Sequence, residues 1–231
     1  MKQRIINIIA AAGAGSRFGS DLPKQFCLLD NRPVLMRAIE CMRQVLPNSG
    51  FIVVLNEAFV SYWKKLCADF EFDSPQIAVG GNTRWQSVKN ALSLIGEVDD
   101  DTIVTVHDGA RPIVDSALIE RVVNAVGSSS GAIPAIQVTD SLRLLTSDGM
   151  SFPVDRSSYR AVQTPQAFNA RKMLNAYSMP FSDNFTDDAS VMAAAGYEDV
   201  ALVDGDSRNI KITYSQDIEI ASIYLKGILE Q

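Results

Sequence analysis

A single histidine, His107, stands among 231 residues. A histidine-rich zinc site, an H-E-x-x-H helix or a mechanism with paired imidazoles each needs at least two, so those chemistries are excluded. Cysteine is scarce as well. Cys27, Cys41 and Cys67 form an odd set without C-x-x-C or metal-ligand spacing, which argues against a disulfide framework or zinc site and for reduced, mostly buried thiols. No stretch reaches the roughly 18 uninterrupted apolar residues of a bilayer span, and the segment 1–12 is too short and strand-like for a signal peptide. A cytoplasmic protein with no membrane association is expected. Positive charge is also in deficit, with 21 Lys and Arg against 27 Asp and Glu, a formal net charge of -6. Without a basic stripe such a chain repels a phosphate backbone, so nucleic acid is excluded as a partner and an anionic ligand needs a local site.

What is present reads as one α/β domain. Hydrophobic residues make up 47% of the chain, enough for a core. Apolar runs of strand length at 5–11, 51–55, 76–79, 102–107 and 132–138 alternate with helical periodicity, as in Leu35, Ile39, Met42 and Leu46 behind Pro33, and in 85–94. The near-continuous run Ile5-Ile6-Asn7-Ile8-Ile9 suits a central strand of a parallel sheet covered on both faces. From about 139 to 160 the pattern changes to short polar-alternating runs around Ser147-Asp148-Gly149, a hairpin signal, and predicts a projecting β-arm. Its apolar positions Leu142, Leu144 and Phe152 would be covered by pairing with a second subunit. Helical patterns return at 171–177, 187–195 and 215–229. No internal repeat or interdomain linker interrupts residues 1–231.

Three stretches could carry chemistry. After the first strand comes Ala10-Ala11-Ala12-Gly13-Ala14-Gly15-Ser16-Arg17, then Pro23-Lys24-Gln25. Small residues let a ligand approach the backbone, consecutive N–H groups can form an anion nest, and Arg17 and Lys24 add positive charge, which suits a triphosphate. The phosphate-loop motif fails for want of Lys-Ser or Lys-Thr, and the dinucleotide motif fails because Phe18 replaces its third glycine. A plain strand-to-helix turn is the alternative. Asp108 follows the run 102–107, where an acid at the carboxyl edge of a sheet can reach a metal-phosphate complex and Arg111 can pair with phosphate. A turn in which Asp108 caps and Arg111 neutralises is the competing reading, with His107 a packed strand-end residue. Lys211 sits in Asn209-Ile210-Lys211-Ile212-Thr213, read as a short strand whose alternation addresses the lysine to one face. The serine-nucleophile signature occurs once, at Gly127-Ser128-Ser129-Ser130-Gly131, but behind a helical pattern rather than a strand, so it reads as a connector.

In this order these motifs, with Gly80-Gly81-x-x-Arg84-x-x-Ser87, Val154-Asp155-Arg156, Gln163-Thr164-Pro165-Gln166 and Asn209-Ile210-Lys211, resemble the 2-C-methyl-D-erythritol 4-phosphate cytidylyltransferases across essentially the whole chain. The resemblance implies a Rossmann-like, mostly parallel twisted sheet flanked by helices, with an arm that builds a homodimer. It implies a reaction of CTP with the polyol phosphate, assisted by Mg²⁺, giving a CDP-polyol and pyrophosphate in the non-mevalonate route to isoprenoids. Residue by residue, it implies triphosphate contacts from Ala11, Ala12, Gly13, Ala14, Gly15, Arg17 and Lys24, and cytidine contacts from Gly81, Asn82 and Ser87. Asp108 would meet the metal-triphosphate or the polyol, while Arg111, Thr139, Arg156 and Thr164 would surround the polyol phosphate. Lys211 matches a lysine beside the reacting α-phosphate, so Arg17, Lys24 and Lys211 form the implied catalytic set. Many relatives have an acid where this chain has Asn82, although an amide still hydrogen-bonds a base or ribose.

Three other readings remain. Ribitol 5-phosphate cytidylyltransferases share most motifs but more often carry Ser-Val where this chain has Gly109-Ala110. A dinucleotide-binding oxidoreductase lacks its third glycine here. A nucleotide-binding regulator would not need Arg17, Lys24, Asp108 and Lys211 together.

Overall fold

The computed structural model describes residues 3–13, 15, 18, 19 and 22–229. Strand β1 (Ile5–Ala11) lies between β4 (Gly50–Leu55) and β6 (Ile103–Asp108) and is parallel to both. The central place follows from its sequence, because Ile6 and Ile8 point to one face, Ile9 and Ala11 to the other, and both faces are covered. Between β1 and β4 run a tight hairpin, β2 (Leu28–Leu29) and β3 (Arg32–Pro33), and helix α1 (Val34–Val45). Asp30 and Asn31 both adopt positive φ at the hairpin tip, the conformation that primed two-residue turns require. Pro33 stands immediately before α1 and supplies the φ of -54° from which the helix departs.

Helix α2 (Val60–Asp69) leads to β5 (Gln76–Val79), parallel to β4, and α3 (Arg84–Leu92) leads to β6. Helix α4 (Ser116–Val126) then feeds β7 (Gly131–Gln137) through the serine-rich segment, a connector as its sequence predicts. After the small hairpin β8 (Arg143–Leu145) and β9 (Ser151–Pro153), β10 (Arg160–Val162) and β11 (Gln166–Asn169) pair antiparallel with β7 in succession, and β11 also pairs antiparallel with β6. Helices α5 (Ala170–Ala176) and α6 (Asp188–Ala194), strand β12 (Val200–Asp204) and helix α7 (Asp217–Leu229) complete the chain. Ala132 and Ala135 pair with β12 as well as with β11 and β10 respectively, so β12 takes the other edge of β7 and runs parallel to it. The eight-stranded sheet is mixed, with a parallel block β5-β4-β1-β6.

Helices α1, α2 and α4 cover one face, where Leu35, Ile39, Trp63 and Leu118 are fully buried against Ile9 and Val53. Helices α3, α5 and α6 cover the other, where Val88, Met173 and Met192 meet Ile8, Val106 and Phe168. Each such buried side chain contributes about 1.5–3 kcal/mol, so the carboxyl ends of the parallel strands are held on a rigid frame. The segment 209–213 is not the strand its alternation predicts. Ile212 N donates to Ala110 O at 2.9 Å, and this contact keeps Ile212 buried and Lys211 outward without a ladder. The thiols are free, but only Cys67 is buried, while Cys27 and Cys41 are half-buried.

Candidate active site

The carboxyl ends of β1, β4, β5 and β6 open into a cavity of about 540 Å³. Its lining includes Ala11, Ala12, Gly13 and Gly15 after β1, Gly81, Asn82 and Ser87 after β5, Asp108 at the end of β6, and Lys24 and Lys211 from the flanks. Ligands of open α/β sheets lie at this edge because the strand ends and helix N-termini there direct loops and N–H groups to one place.

The turn after β1 is held by Gln25, which is buried and donates through Nε2 to Ala11 O at 2.7 Å and Gly13 O at 3.1 Å. Gly15 takes φ +67°, a conformation that costs glycine little, and lies against the stem of Lys24. On the opposite wall, a Cβ on Gly80 would come within 2.4 Å of Ala12 Cβ, so only glycine lets the β5 loop close on the turn. Thr83 caps α3 by accepting from Gln86 N, and Ser87 Oγ accepts from Gly81 N at 3.1 Å, which fixes the loop before the helix.

Asp108 is the electrostatic centre. Lys211 Nζ lies 2.9 Å from its Oδ2, Arg111 Nε lies 3.5 Å from the same oxygen, and Arg84 Nε lies 4.0 Å from Oδ1. Burial alone would push this carboxyl up, but Lys211, Arg84 and Arg111 outweigh it and hold Asp108 well below the usual carboxylate range. Beneath it runs a buried hydrogen-bond chain. Asp108 N donates to Thr164 Oγ1 at 3.0 Å, and Thr164 Oγ1 lies 3.1 Å from His107 Nδ1, while His107 Nε2 lies 3.0 Å from Arg111 O. A carbonyl can only accept, so Nε2 carries the proton and Nδ1 accepts from the threonine. His107 is therefore a structural imidazole, and burial pushes its pKa down to about 4. Arg111 donates to Asn209 O at 2.6 Å, and Asn209 Nδ2 donates to Thr164 O at 2.8 Å, so the loop carrying Lys211 is tied to the loop carrying Asp108.

The structure thus gathers Ala11, Ala12, Gly13, Gly15, Lys24, Gly81, Asn82, Ser87, Asp108 and Lys211 around one cavity, with Arg111 and Thr164 buried behind Asp108. Ala14 and Arg17 lie outside the described residues. Thr139 and Arg156 do not join them. They line a second cavity of about 320 Å³ with Arg160, where Arg156 Nη1 donates to Thr139 O. Sequence reasoning assigned no role to Arg84, and it did not single out Asp188 or Tyr177. Arg84 donates to the buried Asp188 at 2.6 Å, and Asp188 in turn accepts from Tyr177 OH at 2.5 Å. Position 188 follows the capping Asp187, and a second acid there reads as a solvated first-turn residue, which hides its burial.

Among the described residues no group of three His, Cys, Asp or Glu could hold a metal. The donor set is one carboxylate facing three cations. Such a set does not hold a cation by protein alone; a divalent ion would have to arrive on the triphosphate, and Asp108 would be the carboxylate to contact it.

The chain matches the family described as IspD, 2-C-methyl-D-erythritol 4-phosphate cytidylyltransferase, over residues 5–227. A relative of that name from Phocaeicola vulgatus is 42% identical over 219 residues, covering 94% of this chain and 98% of its own. One from Bacteroides thetaiotaomicron is 42% identical over 226 residues, covering 97% and 100%. The crystal structure of the Francisella tularensis 2-C-methyl-D-erythritol 4-phosphate cytidylyltransferase superposes with TM-score 0.77 at 28% identity, covering 96% of this chain and 99% of that one. Sequence order, fold and end-to-end coverage agree, and the chain belongs to the 2-C-methyl-D-erythritol 4-phosphate cytidylyltransferase family.

Proposed function

We propose that the cavity at the carboxyl edge of the sheet binds CTP and that its residues transfer the cytidylyl group to 2-C-methyl-D-erythritol 4-phosphate. A phosphate oxygen of the polyol attacks the α-phosphorus of CTP. One P–O bond forms, the bond to the β-phosphate oxygen breaks, and pyrophosphate leaves with both electrons of that bond, without a covalent enzyme intermediate. Both reactants are anions, so the residues have to screen repulsion and stabilise charge on the α-phosphate and leaving group.

The observation that carries this reading is the convergence of Lys24 and Lys211 with the small-residue turn on a cavity where, among the described residues, Asp108 is the one acid. The turn 11–15 and Lys24 receive the triphosphate, with Arg17 assigned to the same task from its sequence position. Gly81, Asn82 and Ser87 face the cytidine. Lys211, steered by Asp108, donates to the α-phosphate. Mg²⁺ bound on the triphosphate would neutralise its charge further, and Asp108 would be the residue to contact it. Arg111 and Thr164, expected at the polyol phosphate, are buried behind Asp108 and engaged with Asn209 O and with Asp108 N and His107, so they support the wall that the phosphate meets rather than touch it.

Thr139 and Arg156 belong to the same reaction if the second cavity faces a partner's site. The reading therefore includes a homodimer built through the hairpin arm at about 139–160 of a single domain spanning 1–231. Leu144, Met150 and Phe152 support it, because they leave one face of a small hairpin apolar and exposed, with Leu145 73% exposed on the opposite face. We place the enzyme in the cytoplasm, in keeping with three free cysteines. Among the described residues no helix is long and apolar enough to cross a membrane. A pyrophosphate-release assay tests the function: release should require CTP and the methylerythritol phosphate together, and equal or faster release with ribitol 5-phosphate would reassign the substrate.

A further inference from the structure

Arg84 has no step of its own in this scheme, yet its geometry is unusual. It opens α3, and its side chain spans two carboxylates from different elements. Nη2 donates to Asp188 Oδ2 at 2.6 Å at the start of α6, and Nε lies 4.0 Å from Asp108 Oδ1 at the end of β6. Asp188 is fully buried, and its other oxygen accepts from Tyr177 OH at 2.5 Å. Burial and then Asp188 itself keep the Tyr177 phenol protonated, so it stays a donor. For Arg84, burial works against the charge, but Asp188 outweighs it and holds the guanidinium charged. The result is a planar cation with one edge anchored in the core and a side chain still 30% exposed toward the cavity it lines.

The consequence falls on Asp108. Lys211 and Arg111 both sit on Oδ2, and an aspartate turns readily about its Cβ–Cγ bond because that torsion is broad and two-fold. A cation facing Oδ1 removes this freedom. We infer that Arg84 is a positioning residue for the transfer: clamped by Asp188, it fixes the plane of the Asp108 carboxylate and, through it, the Lys211 ammonium at the cavity wall. The inference rests on the reaction proposed above and assigns it a further element, the Tyr177–Asp188–Arg84 array.

The competing explanation is that Arg84 only neutralises a buried acid, and two variants separate the two. Arg84→Lys keeps a charge for Asp188 but cannot reach both carboxylates with a rigid fork. The double variant Arg84→Met with Asp188→Asn removes the buried charge as well as its partner, so it repairs the packing problem without restoring the clamp. Steady-state kinetics and thermal midpoints are measured together. Both variants should lose about 10–100-fold in kcat while KM for CTP moves less than about 3-fold, with the double variant melting closer to wild type than Arg84→Met alone. A folded double variant with wild-type kcat would overturn the inference, as would a raised KM at unchanged kcat. Should the Arg84 variants fail to fold, Asp188→Asn carries the test, because Arg84 can keep its charge in the open cavity. Its kcat should still fall, and an unchanged kcat would overturn the inference. Wild-type protein that releases no pyrophosphate would overturn the proposed reaction instead, which keeps the two failures apart.

Discussion

Because the chain has one histidine, the protonation of His107 can be followed without ambiguity. The imidazole is fully buried, accepts from Thr164 through Nδ1 and donates to Arg111 O through Nε2. Burial lowers its pKa from 6.5 to about 4. The unfolded chain therefore takes up a proton that the folded chain refuses. The associated stability is fully present above the unfolded value and is lost as pH falls from about 6.5 toward about 4. At about 1.36 kcal/mol per pKa unit, the whole loss is about 3 kcal/mol, and roughly 2 kcal/mol of it should be gone between about pH 8 and about pH 5.

Two assays read the same shift. The imidazole carbon-bound protons in an NMR pH titration should show a midpoint near 4, limited at the low end by acid unfolding. Urea unfolding of wild type and His107→Gln at both pH values should give a steeper loss for wild type by roughly 2 kcal/mol, since glutamine keeps a donor and an acceptor but does not titrate. A midpoint near 6.5 in the folded protein, or equal pH slopes for the two proteins, would refute the buried-neutral assignment and with it the hydrogen-bond chain under Asp108.

Lys211→Ala and Lys24→Ala should each lower kcat/KM about 100–1,000-fold, some 3–4 kcal/mol of transition-state stabilisation, with the fold intact. Near wild-type turnover in either would remove that lysine from the mechanism. Asp108→Asn should shift the Mg²⁺ titration of activity to higher concentration more than it weakens CTP binding measured directly, because the amide keeps the shape and loses the charge that a hard cation favours. Unchanged metal dependence and turnover would return Asp108 to a structural role. Arg156→Lys should raise KM for the polyol phosphate and leave CTP binding nearly unchanged, since lysine does not reproduce a bidentate phosphate contact. If sites are shared, mixing inactive Arg156→Ala and Lys24→Ala subunits with verified exchange should recover about a quarter of wild-type activity, and no recovery would place each site within one chain.

Much of the frame was legible because its physics is local. The run 5–9 is apolar on both alternating faces and could only be a covered strand, and it became the centre of the sheet. The gathering of Gly13, Lys24, Gly81, Asp108 and Lys211 also followed, since strand ends of a parallel sheet share one edge. Strands β10, β11 and β12 were not visible in the periodicity. They are short, and their place beside β7 is set by pairing rather than by their own pattern. The array of Arg84, Asp188 and Tyr177 was hidden for a related reason: each residue suits a helix surface, and only the packing of α3 against α5 and α6 buries the acid between them. The expected strand around Lys211 failed because its neighbours make single bonds instead of a ladder: Ile212 N donates to Ala110 O, and Asn209 O accepts from the Arg111 guanidinium.

The central claim is direct attack of the polyol phosphate on the α-phosphorus of CTP within this cavity. Phosphorus NMR of a turnover with 2-C-methyl-D-erythritol 4-phosphate carrying ¹⁸O in its phosphate tests it most directly. The expected result is one ¹⁸O in the bridge of the new diphosphate and unlabelled pyrophosphate. Label in the pyrophosphate, or CTP consumed without the labelled bridge, would contradict it.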